Sequence, residues 1–425
     1  MQATQTITNA DRHRALALST FAFTVCFAVW TLFSIIGVRI KQELGLSDTQ
    51  FGLLVATPVL TGSISRLVLG LWTERFGGRV VFPAQMLITA AAVWMMTWAD
   101  SYAMFLVVAL GLGLAGGSFI IGVSYVSRWF PPEKQGTALG IFGVGNAGAA
   151  VTSFAAPFLL VALGWEGTAR VYALVLAATA VLFYLLARTD PEQARQRESG
   201  APRRTLKSQL APLKLAQVWR FSLHYFFVFG GFVALASFLP RFYMGAYGLD
   251  LTTAGVLTGI FALPGSLFRA YGGWLSDRIG ARRVLYLTFA ISLSALTVMA
   301  FPGGQVTLSG IGGPVRYEFG VPLYLFVFLT VVLGFVMSLG KAAVYKHIPV
   351  YYPQHVGAVG GLVGMIGGLG GFVLPIAFGV LLDVTGIWTS PFLMMLALVA
   401  ATTVWMHLAI RRMERGAPAQ AALEA

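Results

Sequence analysis

Residues Gly62–Arg79 read GSISRLVLGLWTERFGGR, and residues Gly265–Arg282 read GSLFRAYGGWLSDRIGAR. The two stretches align without a gap. Gly62, Ser63, Arg66, Gly70, Arg75, Gly77 and Arg79 recur as Gly265, Ser266, Arg269, Gly273, Arg278, Gly280 and Arg282, and Glu74 recurs as Asp277. Each stretch begins in an apolar helical run and ends in a short basic turn. Such an echo points to a duplicated fold that puts one arginine inside an apolar run in each half. Two cations facing each other across a pseudo-symmetry axis predict a site for a small anion.

Composition sets the class. The 425 residues are 57% hydrophobic and only 11% charged, with a mean hydropathy of +0.78. Soluble proteins carry about a quarter charged residues, so this chain is built for a lipid bilayer. Its 49 glycines and 32 phenylalanines suit closely packed membrane helices. A pI near 10.1 would suggest nucleic acid in a soluble protein; in a membrane protein a basic excess reports topology, and no nucleic-acid partner is expected. Cys26 is the only cysteine, which excludes an intrachain disulfide and a thiolate metal cluster. The first apolar run is too long for a cleavable signal, and no small-residue cleavage site follows it.

Twelve apolar runs of about 20 residues, each enough to cross the hydrocarbon core, fall near 15–38, 49–72, 81–98, 103–126, 136–162, 168–187, 220–242, 251–274, 284–301, 320–344, 357–382 and 388–410. Ser47 with Gln50 has the spacing of a capping box for the second run. Pro58, Pro157, Pro264 and Pro375 lie inside runs, where neighbouring helices can satisfy freed carbonyls. The largest polar interruption, Arg188–Lys214, is charged and proline-containing and is expected to bury no core. The expected organisation is a first six-helix half at 1–187, a linker at 188–218 and a second half at 219–425. The fifth run echoes the eleventh: Gly136, Gly140 and Gly143 recur as Gly357, Gly361 and Gly364, and Pro132 as Pro353. The expected fold is an all-α integral membrane protein of twelve transmembrane helices in two six-helix pseudo-symmetric halves, a plan found among secondary transporters.

Charge orients it. Twenty-one of the 29 Lys and Arg lie at the termini or in the even-numbered loops, and five (Arg39, Lys41, Arg170, Arg241, Arg316) lie in the odd loops. Both termini are therefore expected in the cytosol. The remaining three, Arg66, Arg269 and Lys341, fall inside runs, whereas every one of the 16 acids lies outside a run or at its end. An uncompensated arginine in a bilayer interior costs roughly 2.5–3.5 kcal/mol on insertion scales. Its guanidinium never deprotonates and donates two parallel hydrogen bonds, which suits a planar oxyanion. The bland alternative is that each cation snorkels along its helix to the headgroups; the repeated arginine pair favours the site.

The turn pattern, present twice, resembles the signature G-x-x-x-D-R-x-G-x-R of the major facilitator superfamily. It falls on Gly70, Glu74, Arg75, Gly77 and Arg79, with Glu in place of the usual Asp, and on Gly273, Asp277, Arg278, Gly280 and Arg282. The glycine-dense stretches at Gly140, Gly143, Gly145 and Gly148, and at Gly361, Gly364, Gly367 and Gly368, follow Trp129-Phe130-Pro131 and Tyr351-Tyr352-Pro353. They resemble the two signature helices of the nitrate/nitrite porter family, and the resemblance covers essentially the whole chain. It implies the major facilitator fold, a bacterial inner membrane, a monomer, no cofactor and no metal. It implies substrate-clamping roles for Arg66 and Arg269, an amide donor at Asn146, an aromatic sandwich at Phe27, Phe119 and Phe229, and a contributing Tyr225. The glycine-dense helices would pack closely and slide as the halves rock. A dry pocket of guanidiniums, one amide and aromatic walls suits flat, weakly hydrated, singly charged nitrate better than sulfate or phosphate.

Lys341, in Ser338-Leu-Gly-Lys-Ala-Ala-Val-Tyr-Lys-His-Ile-Pro349, stands where exchange-type members of that family have a small residue. The segment is similar to the branch assigned to proton-coupled nitrate uptake. A buried lysine, unlike an arginine, can lose its proton, which makes Lys341 the coupling candidate. His224 is a weaker one, expected to face headgroups. The reading is nitrate–proton symport, with nitrite as a second substrate; the alternatives are nitrate/nitrite antiport and, on the same fold, organic-anion transport. An enzyme is disfavoured because the five histidines are scattered, Cys26 is alone and no acid lies inside a run. A sensor would need an output domain that neither the termini nor the linker can fold.

Overall fold

The computed structural model describes residues 8–46, 48–199, 206–311 and 313–421; Ser47, half of the expected capping box, lies outside them. Twelve helical crossings follow in order: α1 (Asn9–Leu44, with a turn at Thr31 and Leu32), α2 (Asp48–Phe76), α3 (Gly78–Met95), α4 (Tyr102–Ser127), α5 (135–163), α6 (165–186), α7 (Ala216–Tyr247), α8 (Leu251–Leu267 and Arg269–Ile279), α9 (Ala281–Met299), α10 (Leu323–Tyr351), α11 (Val356–Thr385) and α12 (Ser390–Ala421). Continuous hydrogen bonding joins the end of α5 to α6, yet Gly164 sits between them at φ 70°, ψ 177°, a reversal open to glycine and closed to most side chains. Pro58, Pro157, Pro264 and Pro375 all lie within helices, as the sequence indicated.

Large apolar side chains cover the outside: Phe158, Val161, Leu185, Tyr324 and Val384 are all exposed. In water this would be an aggregation surface; around twelve apolar crossings it is the face presented to lipid.

The 188–218 segment differs in part from its expectation. Its start is packed, not free. Asp190 is buried, accepts from Arg128 at 3.2 Å and caps Gln193 N–H at 3.0 Å. The Arg188 carbonyl accepts from Tyr125, and its guanidinium pairs with Asp11 at 2.6 Å. The stretch Pro191–Ser199 is helical, and α7 starts at Ala216. Thus α1, the end of α4 and the start of the linker share one end of the bundle, called the linker side below.

Between α9 and α10, where a long loop is expected, an antiparallel hairpin of β1 (Gly304–Gly310) and β2 (Gly313–Phe319) stands on the opposite, far side. It is the one departure from all-helical structure among the described residues.

The halves meet through glycine. A Cβ on Gly70 of α2 would run into the backbone of Gly357 in α11, and one on Gly273 of α8 into the backbone of Gly136 in α5. These are equivalent pairs in the duplicated sequence, so two symmetric seams hold the linker side shut. The acids of the repeated turn lock each seam. Glu74 Oε1 accepts from Gly357 N–H at 2.7 Å and Ala358 N–H at 3.0 Å. Asp277 accepts from Gly136 N–H at 2.9 Å, and from Thr137 N–H at 2.6 Å and its hydroxyl at 2.7 Å. Each carboxylate satisfies the orphan amides, and meets the positive end, of a helix in the other half. Lys346 adds an ion pair to Asp277 at 2.6 Å and a hydrogen bond to the Pro132 carbonyl.

Candidate anion-binding site

Neither Arg66 nor Arg269 snorkels: their relative exposures are 2% and 1%. Arg66, on α2, donates from Nε to the Gly116 carbonyl of α4 at 3.1 Å and from Nη1 to the Gly364 carbonyl of α11 at 2.7 Å. Arg269, at the start of the second segment of α8, is less satisfied: its Nε and Nη1 are buried with no hydrogen-bond partner among the described residues. An unpaired buried donor on a charged group is costly.

The glycines of α5 and α11 make room for these cations. Gly140 lies against the Arg269 carbonyl and Gly361 against the Arg66 carbonyl. Any side chain at Gly143 would collide with the Arg269 stem and guanidinium, and one at Gly364 would meet Arg66 Cδ and the Tyr345 hydroxyl. Gly367 gives space to the Tyr225 ring, Gly368 to Ser63 and Arg66, Gly145 to Phe23, and Gly148 to the backbone of α1. The glycines read as packing and sliding positions are therefore also the floor of the site.

Aromatic rings form a continuous wall. Phe119 of α4 touches both cations, its ring centroid 5.9 Å from Arg66 Cζ and 4.6 Å from Arg269 Cζ. Phe229 lies 5.2 Å from Arg66 Cζ and stacks on Tyr225. Phe226–Gly231 is a π-helical turn within α7, a feature common at functional sites. Tyr345 of α10 closes the wall, edge-on to both Phe119 and Tyr225 at 4.8 Å, with its hydroxyl on the Gly360 carbonyl. The sequence reading did not single out Tyr345, although it lies one turn beyond Lys341 on the same buried face. Phe27 packs instead with Phe23 and Trp30, and Phe23 is the α1 ring that meets Phe119. Asn146 is buried, in the 3₁₀ turn Val144–Ala147 of α5, and among the described residues it is not hydrogen-bonded to either arginine.

Lys341 is fully buried, which overturns the edge-lysine alternative. Its Nζ donates to the Gly265 carbonyl at 2.7 Å and sits 3.5 Å from the Phe232 ring centroid. That carbonyl is one turn before Arg269, where α8 breaks: Pro264 has no N–H, Phe268 leaves helical geometry, and the segments bend by 41°. The lysine thus ties α10 to the break that aims Arg269. His224 also differs from expectation: it does not face headgroups but is buried, edge-on to Phe289, with an unpartnered Nδ1.

A family model of the Major Facilitator Superfamily matches residues 18–315 and 225–425. A probable nitrate/nitrite antiporter, NarK1, from Thermus thermophilus is 42% identical over 416 residues, covering 95% of this chain and 93% of that protein. The chain belongs to the nitrate/nitrite porter family of the major facilitator superfamily. Further relatives of this porter are the nitrite extrusion protein of Bacillus subtilis strain 168 (32% identical, 93% of this chain and 95% of that one) and the probable nitrate/nitrite transporter NarK2 of Mycobacterium tuberculosis H37Rv (34%, 92% and 95%). The fold of the porter matches that of the major facilitator transporter FucP crystallised in its outward conformation, with a TM-score of 0.71 at 16% identity, over 92% of this chain and 98% of that one. The porter is a multi-pass membrane protein of transporter type and not an enzyme.

Proposed function

We propose that this porter carries nitrate, and nitrite beside it, by alternating access, with one anion held between Arg66 and Arg269 against Phe119, Phe229 and Tyr225. The observation that carries the reading is the pair of repeat-related, buried guanidiniums, one with unpaired donors and neither paired with a carboxylate among the described residues. Its relatives are named for nitrate and nitrite, and a guanidinium fork with aromatic walls fits a flat monoanion. With the basic linker side in the cytosol, the two glycine seams close the cytosolic end. Asn146 supplies an amide donor as the halves close over the anion, and Phe27 moves in with α1.

The coupling follows from Lys341. An empty site with permanent cations resists reorientation; an anion or the loss of a proton relieves it. Lys341 is a buried ammonium beside Arg269's helix, and loss of its proton would turn a charge-assisted bond to the Gly265 carbonyl, next to the break before Arg269, into a weaker neutral one. The porter is therefore a nitrate–proton symporter working in uptake. Antiport is the second reading, favoured by the name of the Thermus relative. Labelled nitrate flux into proteoliposomes separates them. Uptake driven by an inward proton gradient without internal nitrite supports symport. A strict requirement for internal nitrite with indifference to pH overturns it, and flux of bulky organic anions in preference to nitrate overturns the substrate.

A further inference from the structure

The hairpin β1–β2 has two unlike faces. Its register pairs Val306 with Tyr317, Leu308 with Val315 and Gly304 with Phe319, so these side chains share one face. The alternate pairs, Gln305 with Glu318 and Thr307 with Arg316, share the other. Every charged residue of the ribbon is on that second face, where Gln305 also donates to Glu318 at 2.6 Å. Gln305 and Glu318 line a cavity of about 670 Å³ above the second half, together with Tyr247 and Trp388. Gly304 and Phe319, at the base of the first face, line the same cavity, whereas Val306, Leu308, Val315 and Tyr317 stand clear of it.

Among the described residues that apolar face is left open: Val306, Leu308, Val315, Tyr317 and Phe319 are all exposed. The tip is apolar too. Ile311, between the paired Gly310 and Gly313, has a relative exposure of 113%. Turns in water favour Gly, Asn, Asp and Ser, and an isoleucine there has no turn-forming role. An isolated two-stranded ribbon is at best marginally stable in water, so it needs a partner.

The roots of the hairpin say which. Phe301, at the end of α9, is exposed and meets Phe319 edge-on, and Tyr324, at the start of α10, is 78% exposed. Exposed aromatics at the ends of two crossings are the belt that marks the level of the lipid headgroups, and the apolar face of the ribbon continues this belt. We propose that the hairpin docks by this face on the membrane, lying in the headgroup–acyl boundary of the leaflet on the far side with Ile311 dipping deepest. An amphipathic element seats there with its apolar face buried about 5–10 Å. The ribbon would then be a surface anchor for the α9–α10 end of the moving second half.

The test uses the full-length porter in nanodiscs of phosphatidylethanolamine and phosphatidylglycerol, with Cys26→Ser and a single reporter cysteine. Ile311→Cys or Thr307→Cys is labelled with an environment-sensitive fluorophore. Docking predicts that lipids spin-labelled near the headgroup quench the Ile311 label at least twofold more than the Thr307 label, and that aqueous iodide does the reverse. Equal iodide quenching of both labels overturns the proposal. So does cross-linking between porters through Ile311→Cys that persists when each nanodisc is loaded with two copies, since the face would then belong to a second copy. A Val306→Cys label, on the apolar face away from the tip, repeats the reading if Ile311→Cys fails to fold.

Discussion

The Arg66 guanidinium reaches across the molecule to the Gly364 carbonyl of the other half, at 2.7 Å. Its repeat partner Arg269 reaches past Gly143 in the same way but leaves two donors unpaired. The site is symmetric in sequence and asymmetric in its hydrogen bonds. Lysine at either position keeps the charge and loses the fork. Charge-assisted hydrogen bonds are worth about 1.5–3 kcal/mol each, so Arg269→Lys should raise the half-saturating nitrate concentration roughly tenfold or more at unchanged protein level. Arg66→Lys should lose transport as well, by weakening the tie between the halves. Full nitrate flux in Arg66→Lys proteoliposomes would remove Arg66 from the site.

Alanine at Gly143 or Gly364 tests the floor of the site. The new methyl at Gly143 would land on the Arg269 stem and the one at Gly364 on the Tyr345 hydroxyl beside Arg66, and overpacking of this kind costs about 1–3 kcal/mol. Both substitutions should depress nitrate binding about tenfold in a tryptophan-quenching or calorimetric titration. Gly379→Ala, whose Cβ would meet nothing within 4 Å, should bind as the parent does.

Asp277 fastens the start of α5 to α8 and α10: it accepts from two amides, a hydroxyl and Lys346. Asp277→Asn loses the charge that holds Lys346 and should open the linker side. Cysteine accessibility of Thr137→Cys from the linker side should rise in the Asp277→Asn background; unchanged accessibility would contradict the lock.

Much of this was legible in the chain. Twelve apolar runs report their own positions because a membrane solvent demands uninterrupted apolar length, and the arginine pair stood out because a repeat exposes what a single copy hides. Tyr345 was not legible: one tyrosine in an apolar helix carries no mark, and only the convergence of α4, α7 and α10 shows that it joins Phe119 to Tyr225. The fate of Lys341 was equally hidden, since snorkelling and burial look alike in sequence and the break at Phe268 that holds its partner carbonyl arises from tertiary packing. The hairpin had a visible trace, the alternation Val306-Thr307-Leu308, but it sat in a segment dominated by glycine.

Tyr345→Phe keeps both ring contacts and loses the bond to Gly360, so transport should fall by no more than about fivefold, the worth of one neutral hydrogen bond. Tyr345→Ala removes the ring that joins the walls and should abolish most nitrate flux. If the two variants behave alike, the wall is not what shapes the site.

Orientation is checked by labelling. Lys207→Cys and Thr307→Cys, each in a Cys26→Ser background, should react with an impermeant maleimide from opposite sides of the membrane in intact cells and inverted vesicles. Labelling of both from the outside would refute cytosolic placement of the linker.

Arg66, Arg269 and Lys341 are buried with no paired carboxylate among the described residues, which on the proposed reading makes the porter an electrical device as well. A single monovalent anion, even with Lys341 discharged, leaves the loaded site with net positive charge. Each elementary charge moved through a full 100 mV is worth about 2.3 kcal/mol. When the seams at Gly70 and Gly273 part and the far side closes, the arginines do not need to travel; the field collapses across a different set of walls around them. On the proposed reading, an inside-negative voltage would then draw the loaded and the empty carrier alike toward the cytosol-facing form, setting where the porter rests in its cycle while a one-to-one cycle as a whole moves no net charge.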